Sequence, residues 1–393
     1  MNRRAFGKLA FTGALGTLPS GAAEGSDDKN RSSIPSGSGP GQVAIGIERG
    51  TMEHEFPLIE VEGGAFEMGR QHGEQAKDLV KRYLLWIGRI TGKPRNQLCE
   101  NAMRFLPAME RLSPKFVEEI RGLADGAGIS FPEAVLCQAR AEASETWEGG
   151  CTAFALRGEA TAEGKVLAGQ NQDLEPEYAD VAILLRVRPN DGRPRALMFT
   201  FAGQLGYSGM NEYGVCHFAN ALYGFKWRPG LPHYPLKRLI LEQKTMPEAV
   251  GLIEKHRTCS AANLVLADGQ GSIGDVEIRP EASVVFNDDH GDKRLHTNHY
   301  VTSQFAGFED NHLSDSRPRL KRMHALVNAA WGRINVETMK EFLADHEGDP
   351  AGICRHGDRG MHSVSGYIAE PAKGILHVRR GHGCLGTWTP YRV

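Results

Sequence analysis

The sequence predicts an α+β protein in which antiparallel sheets pack together with helices outside. Two observations carry this. Helical patterns fill the first part of the chain, and the hydrophobic period changes at Cys151 to that of strands. Beyond it, two blocks of strands are interrupted and followed by helical stretches.

The elements follow in order. Phe56-Pro57-Leu58-Ile59-Glu60-Val61 reads as a short strand, and Gly63-Gly64 leads into a helical pattern over 66–90. Gly69 and Gly73, four apart on that helix, make a face where another backbone can approach closely. Residues 113–145 are again helical. Ser113-Pro114 starts one helix and Asp125-Gly126-Ala127-Gly128 breaks it, while Ser130 with Glu133 fits a capping box on the next. Strands are expected over 151–156, 166–169, 181–187 and 196–201, with a strand pair over 209–222. A helical pattern covers 233–255, strands 261–266, 273–278 and 282–286 follow, helices cover 315–345, and strands close the chain over 363–393. No short internal repeat is present.

The first residues read as an address. Arg3-Arg4, Phe6, Lys8, a short apolar stretch and Gly21-Ala22-Ala23 resemble a twin-arginine export signal over 1–23. The expected location is the periplasm or the outside of the cell. Residues 24–42, rich in Ser, Gly, Asp and Pro, read as a disordered linker, with ordered structure beginning near Ala44. Beyond the start no run of eighteen apolar residues exists, so no membrane anchor is expected.

Composition narrows the function. The 393 residues carry a formal charge of −2 and are 40% hydrophobic, which allows a sizeable core and argues against a nucleic-acid partner. Seven cysteines at irregular spacings leave at least one unpaired or intermolecular in an oxidising compartment. No CxxC pair and no HExxH occur, so neither a structural zinc nor a catalytic metal is expected, and no cofactor. His296 and His299 lie in a strand-like segment, where residues three apart face opposite sides.

Gly149-Gly150-Cys151-Thr152 stands at the helix-to-strand change. Glycines admit backbone dihedrals that other residues resist, and such strain helps a thiol attack the carbonyl before it. Hydrolysis of the resulting thioester frees an α-amine, whose pKa of roughly 7.7–8.0 suits a base near neutral pH. The same tetrapeptide also fits a plain turn followed by a small core thiol.

The surrounding segments decide between these. EMGRQHGEQ at 67–75, EEIRGLADGAGIS at 118–130, GGCTAFAL at 149–156, GKVLAGQNQDLE at 164–175, GMNEYGVCHFANAL at 209–222, HTNHYV at 296–301, DSRPRL at 315–320 and ICRH at 353–356 occur in this order. Together they resemble the isopenicillin-N acyltransferase family (acyl-coenzyme A:6-aminopenicillanic acid acyltransferases), a branch of the N-terminal-nucleophile hydrolases. The resemblance covers nearly all of 58–393. It implies a four-layer αββα sandwich and self-cleavage between Gly150 and Cys151. The products would be an α-chain segment over 43–150, mostly helical, and a β-chain over 151–393, held as one composite catalytic domain.

Residue by residue, the resemblance puts Cys151 on the nucleophile and Asp173 on an acid beside the new amine. It puts Asn298 on the oxyanion donor and Arg355 on a cation that lowers the thiol pKa or holds an acidic group. On their own, Asp173 and Asn298 also read as turn residues. Gln172 stands where the family usually has an aromatic residue, and Cys354 where it often has serine. The implied partners are a small amide or acyl substrate and the two fragments of one precursor. Family members handle penicillin side chains, β-alanyl amides and related small amides.

Two other readings remain open. One is a ligand-binding relative without catalysis. The other is a papain-like thiol hydrolase pairing Cys151 with His217 or His362 and needing no cut, although the local sequence of a papain-type cysteine is missing. Tyr207, Tyr213, Phe218, Tyr223, Phe225 and Trp227 fit an acyl pocket or a core equally well.

Overall fold

A computed structural model describes residues 55–146, 149–286, 291–309, 313–357 and 361–393. The expected export signal, the linker and the start near Ala44 lie outside these residues. From residue 55 onward the described chain packs as one unit.

The strands are β1 (Leu58–Gly63), β2 (Gly150–Leu156), β3 (Leu167–Leu174), β4 (Ala182–Pro189), β5 (Ala196–Phe201), β6 (Ser208–Asn211) and β7 (Cys216–Ala221). They continue as β8 (Ala262–Ala267), β9 (Ile273–Ile278), β10 (Ser283–Val285), β11 (Lys293–His296), β12 (His362–Glu370), β13 (Ile375–Arg380) and β14 (Thr387–Arg392). The helices of the first part are α1 (Ala65–Gln75), α2 (Lys77–Thr91), α3 (Arg95–Met103), α4 (Leu106–Leu112), α5 (Pro114–Ala127), α6 (Phe131–Gln138) and α7 (Arg140–Ser144). Later come α8 (His233–Ile240), α9 (Met246–Lys255), α10 (Ser316–Ala329) and α11 (Val336–Leu343).

Among the described residues the strands form two sheets, ordered β1-β4-β5-β6-β7-β8-β9-β10 and β11-β2-β3-β12-β13-β14. β2 and β3 face β7 and β8 across the interior. α10 and α11 lie against β2, β3 and β12, and α8 and α9 against β7 and β9, with α1 packed by β1 and β4. The fold is α+β, a four-layer αββα arrangement as expected. All pairings are antiparallel except β1 with β4. Through that pair the helical first part lends a strand to the first sheet.

Strand alternation sorts the core. On β2, Ala153 and Ala155 point between the sheets, while Phe154 and Leu156 point toward α10 and α11, where Met323, Val327 and Leu343 meet them. Cys151 shares the parity of Ala153, so its thiol points between the sheets.

The predicted helix over 66–90 is two helices, α1 and α2, meeting at Ala76, whose backbone N–H still bonds His72 O at 3.0 Å. The residues 95–112 hold α3 and α4, which the hydrophobic pattern did not announce. Ser130 and Glu133 form the expected capping box. The expected close approach at Gly69 and Gly73 is present. A Cβ on Gly69 would lie 1.9 Å from Glu119 O and one on Gly73 2.5 Å from Ala127 N, both on α5. Gly122 and Gly126 of α5 reciprocate against Phe66 O and Arg70 O. Gly69→Ala must therefore push two helix backbones apart. It is expected to cost about 3 kcal/mol or more, measured as a lowered urea midpoint with an unchanged slope.

A buried ion pair also ties the first part to the second. Arg238 of α8 donates to both Glu119 oxygens at 3.1 and 3.0 Å, with both side chains 1% exposed. Among the described residues no helix is long and apolar enough to cross a membrane.

Candidate active site

β2 places Cys151 at the start of a strand whose neighbours are fixed by register. Gly150 pairs with Asp173 of β3, Cys151 with Gln172, and Asp173 in turn with Ser363 of β12. Gly149 has φ +113°, which L side chains rarely adopt. A Cβ on Gly150 would lie 2.7 Å from Arg355 Nη1 and 3.3 Å from Asp173 Oδ2, so a side chain there would displace the Arg355 guanidinium. Gly149 is thus required by its backbone conformation, and Gly150 leaves Arg355 its place beside the bond before Cys151.

The two sides of Cys151 differ. Its thiol side opens on a cavity of about 40 Å³ between the sheets, bordered by Arg140, Thr146, Gln172, Tyr207, Asn220 and Lys237. Its backbone side meets a polar network toward α10. The Cys151 N–H donates to Asn298 Oδ1 at 2.9 Å. Arg319 donates to Cys151 O at 2.7 Å, to Thr152 Oγ1 at 3.0 Å and to Asn298 Oδ1 at 2.8 Å. Asn220 Nδ2 donates to Cys151 O at 3.1 Å.

Asp173 sits beside the Gly150–Cys151 bond. It accepts from Ser363 Oγ at 2.6 Å, and Arg355 Nη1 stands 3.8 Å from its other oxygen. Arg355 Nη2 also pairs with Asp315, which accepts from Arg319 at 3.1 Å. The order Asp173, Arg355, Asp315, Arg319 alternates charge from one side of Gly150-Cys151 to the other. The predicted residues Cys151, Asp173, Asn298 and Arg355 therefore come together in one network.

Two expectations are sharpened by this geometry. Asn298 turns its oxygen, not its NH2, toward the Cys151 nitrogen, and Nδ2 donates to Ala221 O at 2.9 Å. One Nδ2 hydrogen remains beyond that bond. Arg355 is the arginine that holds the acid, whereas Arg319 is the one whose charge pulls on the thiol. Burial, then the charge of Asp173, pushes the Cys151 thiol up to about 12, and Arg319 and Lys237 pull it back in part. Near neutral pH the group is therefore a thiol, not a thiolate.

Four residues of the site carried no assigned role in the sequence. Arg319 and Asn220 lie inside segments that the sequence singled out, but only the fold shows them meeting at Cys151 O. Ser363 and Lys237 had no local signal. Lys237 is buried, 4.7 Å from the Tyr207 ring centroid and 5.6 Å from that of Tyr234. Burial lowers its pKa to about 8, partly offset by Cys151 and Glu142.

The papain-like pairings are not formed. His217 Nε2 meets Lys237 O at 3.0 Å and His362 Nε2 meets Gly357 O at 2.7 Å. His296 Nε2 pairs with Glu277 at 3.0 Å and His299 Nδ1 with Ser316 Oγ at 2.7 Å, so these two are also committed elsewhere. The aromatic group divides. Tyr207 borders the cavity, Tyr223 donates to Gly149 O at 2.9 Å, Phe218 stacks on Tyr367 in the core, and Tyr213 is exposed.

Beneath the site, burial raises Asp275 from the ordinary 3.8 to about 6, against the pull of His296. A carboxyl raised in the folded state stabilises the fold fully below 3.8. That contribution is lost as pH rises through 6. At pH 8 the buried charge costs roughly 3 kcal/mol by this shift. Asp275→Asn is expected to raise Tm at pH 8, with the gain shrinking between pH 6 and 4 and vanishing below. A gain that grows on acidification contradicts the assignment.

The sequence pattern of the acyl-coenzyme A:6-aminopenicillanic acid acyl-transferase family matches residues 160–377. The chain belongs to that family. The matched stretch of this acyl-transferase family contains Asp173, Asn298 and Arg355, and Cys151 lies just before it. The chain is 29% identical over 306 residues to the acyl-coenzyme A:6-aminopenicillanic-acid-acyltransferase 40 kDa form of Emericella nidulans, covering 76% of this chain and 84% of that one. It is 22% identical over 347 residues to an uncharacterised protein of Archaeoglobus fulgidus, covering 73% of this chain and 57% of that one.

Among solved structures it is similar to a variant of conjugated bile acid hydrolase from Clostridium perfringens. The TM-score is 0.44 and the identity 14%, covering 62% of this chain and 97% of that one. Penicillin V acylase from Agrobacterium tumefaciens gives a TM-score of 0.42 and 16% identity, over 61% and 84%. Membership makes the chain an enzyme of the acyl-transferase kind.

Proposed function

We propose that the chain is a self-cleaving cysteine N-terminal-nucleophile enzyme that hydrolyses small amides through an acyl group on Cys151. The observation that carries this is the split surroundings of Cys151. Its thiol opens on a cavity, while its nitrogen meets Asn298 Oδ1 with Asp173 and Arg355 beside the preceding bond.

In maturation, Cys151 Sγ attacks the Gly150 carbonyl carbon and the thiol proton passes to the departing nitrogen. The thioester formed is opened by water, which leaves a Gly150 carboxylate and a free Cys151 thiol and α-amine. Asn298 Oδ1, already the acceptor for this nitrogen, then holds the amine, and Asp173 supplies the compensating charge. A neighbouring ammonium favours thiolate, reversing the upward push on Cys151.

In turnover the amine takes the thiol proton as sulfur attacks the substrate carbonyl. The remaining Nδ2 hydrogen of Asn298 and a backbone N–H meet the oxyanion. The ammonium gives its proton to the leaving amine. Water, activated by the same amine, releases the acid and regenerates the thiol.

Arg3-Arg4 and the segment after them support export to the periplasm, and there hydrolysis is favoured over transfer from coenzyme A. Cell fractionation tests this, since Arg3→Lys with Arg4→Lys should leave the protein in the cytoplasm.

Lys237, a cation bordering the thiol's cavity, favours substrates that bring a carboxylate. Lys237→Met is expected to raise KM for N-acyl amino acids about 10-fold or more, with a smaller change for N-acyl amines. Equal losses for both series contradict that role.

The proposed chemistry is tested by acid-quenching reactions with N-acyl amino acids, N-acyl amines, β-lactams and lactones, then weighing the protein. An acyl increment on the fragment that begins at Cys151 is expected. Binding without any increment or product favours the non-catalytic reading.

A further inference from the structure

We propose that His346, Cys354, His356 and Cys384 form a structural zinc site beside the active site. Their ligand atoms all lie within 4.8 Å of one another. Cys354 Sγ is 3.9 Å from Cys384 Sγ, Cys384 Sγ is 3.4 Å from His356 Nε2, and His356 Nε2 is 2.9 Å from His346 Nε2.

These three separations lie within a few tenths of an ångström of those in a tetrahedron about one ion. With Zn–S near 2.3 Å and Zn–N near 2.0–2.1 Å, sulfurs sit about 3.8 Å apart, sulfur and nitrogen about 3.6 Å and nitrogens about 3.3 Å. Two thiolates with two imidazoles are a donor set that selects zinc over hard cations. A disulfide would explain less. It needs its sulfurs about 2.0 Å apart, and it gives no reason for two imidazole nitrogens to converge on the same point.

The backbone holds the four donors ready. Cys354 N–H bonds Asp345 O at 2.9 Å, folding the segment after α11 back on itself so that His346 and His356 meet. The turn that carries Cys384 packs tightly there. A Cβ on Gly383 would lie 2.3 Å from Leu343 O, and one on Gly386 2.4 Å from Arg380 O. Cys354 is buried, His356 half-buried, and His346 and Cys384 exposed, so an ion can reach the site from solvent. The His382 ring packs tilted against that of His356, with centroids 5.0 Å apart, and supports it. The spacing rules missed the site because its donors lie 10, 28 and 30 residues apart across two loops.

Arg355 stands between the ligands Cys354 and His356. Four protein donors close the coordination shell, so the ion would be structural. It would fix the segment from which Arg355 reaches Asp173 and Asp315.

The test uses full-length protein with any affinity tag removed and its thiols reduced. Mass spectrometry of the metal is expected to give about one zinc per chain. Metal-free protein is expected to take up one Co²⁺ with a thiolate-to-cobalt absorption band. Cys384→Ser and His356→Ala should each abolish that band and lower zinc at least 10-fold, while Cys99→Ser leaves both unchanged. Reduced wild type that takes up neither metal overturns the proposal. So does a Cys354–Cys384 disulfide in a metal-free protein as isolated, or full zinc retention by a Cys384→Ser, His356→Ala double variant.

Discussion

Cys151→Ala is expected to purify as one unbroken chain with no turnover above background. The loss should be about 10⁵-fold or more, as for removal of a nucleophile that works as a unit with its base. In this protein the unit is a single residue, so one substitution removes the sulfur and also prevents the amine from being made. No other described group takes over. His217 and His362 are bonded elsewhere, and Lys237 offers a base without a nucleophile. The variant should remain folded. Cys151 is buried, and replacing sulfur with hydrogen removes one atom next to an existing cavity, worth about 1 kcal/mol. Circular dichroism and an unchanged Tm to within a few degrees separate lost chemistry from lost fold.

Asp173→Asn is expected to lower turnover about 10²- to 10³-fold and to slow self-cleavage, with little change in KM. Asp173 is fully buried, accepts from Ser363 and faces Arg355. Burial raises its pKa, and the charges of Arg355 and Arg319 with the Ser363 bond oppose that rise. Asn keeps the shape and the Ser363 bond but removes the negative charge that faces the new ammonium. Arg355 then lies beside that ammonium without a neutralising partner except Asp315. The amine should become a weaker base, so the acid limb of the kcat–pH profile should move to lower pH. A profile that keeps its position while activity falls would reduce Asp173 to a packing role. Removing the Asp173 charge also relieves one of the causes that push the thiol up, so the thiol and the amine both carry the limb toward lower pH.

Much of this was legible in the sequence, for identifiable reasons. The strands after Cys151 show themselves because buried strands are dense in branched and aromatic residues. The contact of α1 with α5 was visible in Gly69 and Gly73, because close backbone approach leaves glycine as its mark. Cys151, Asp173, Asn298 and Arg355 were found by ordered motifs, and the fold gathers them around one peptide bond. Other features leave no local trace. The division of 66–90 into α1 and α2 occurs at Ala76, a good helix former, so nothing in the pattern marks it. Arg319 meets Cys151 O only because α10 crosses the open face of β2. The orientation of Asn298 is set by two donors, the Cys151 N–H and Arg319, that are distant in sequence. The cluster around Cys354 and Cys384 joins two loops whose spacing matches no short motif.

The central claim is that Cys151 becomes an N-terminus before it becomes a catalyst. Intact mass spectrometry with N-terminal sequencing of active protein tests it most directly. The account predicts two polypeptides that remain associated until denatured, the larger beginning at Cys151 and ending at Val393. A single chain with Cys151 still joined to Gly150 and full amide turnover would contradict it.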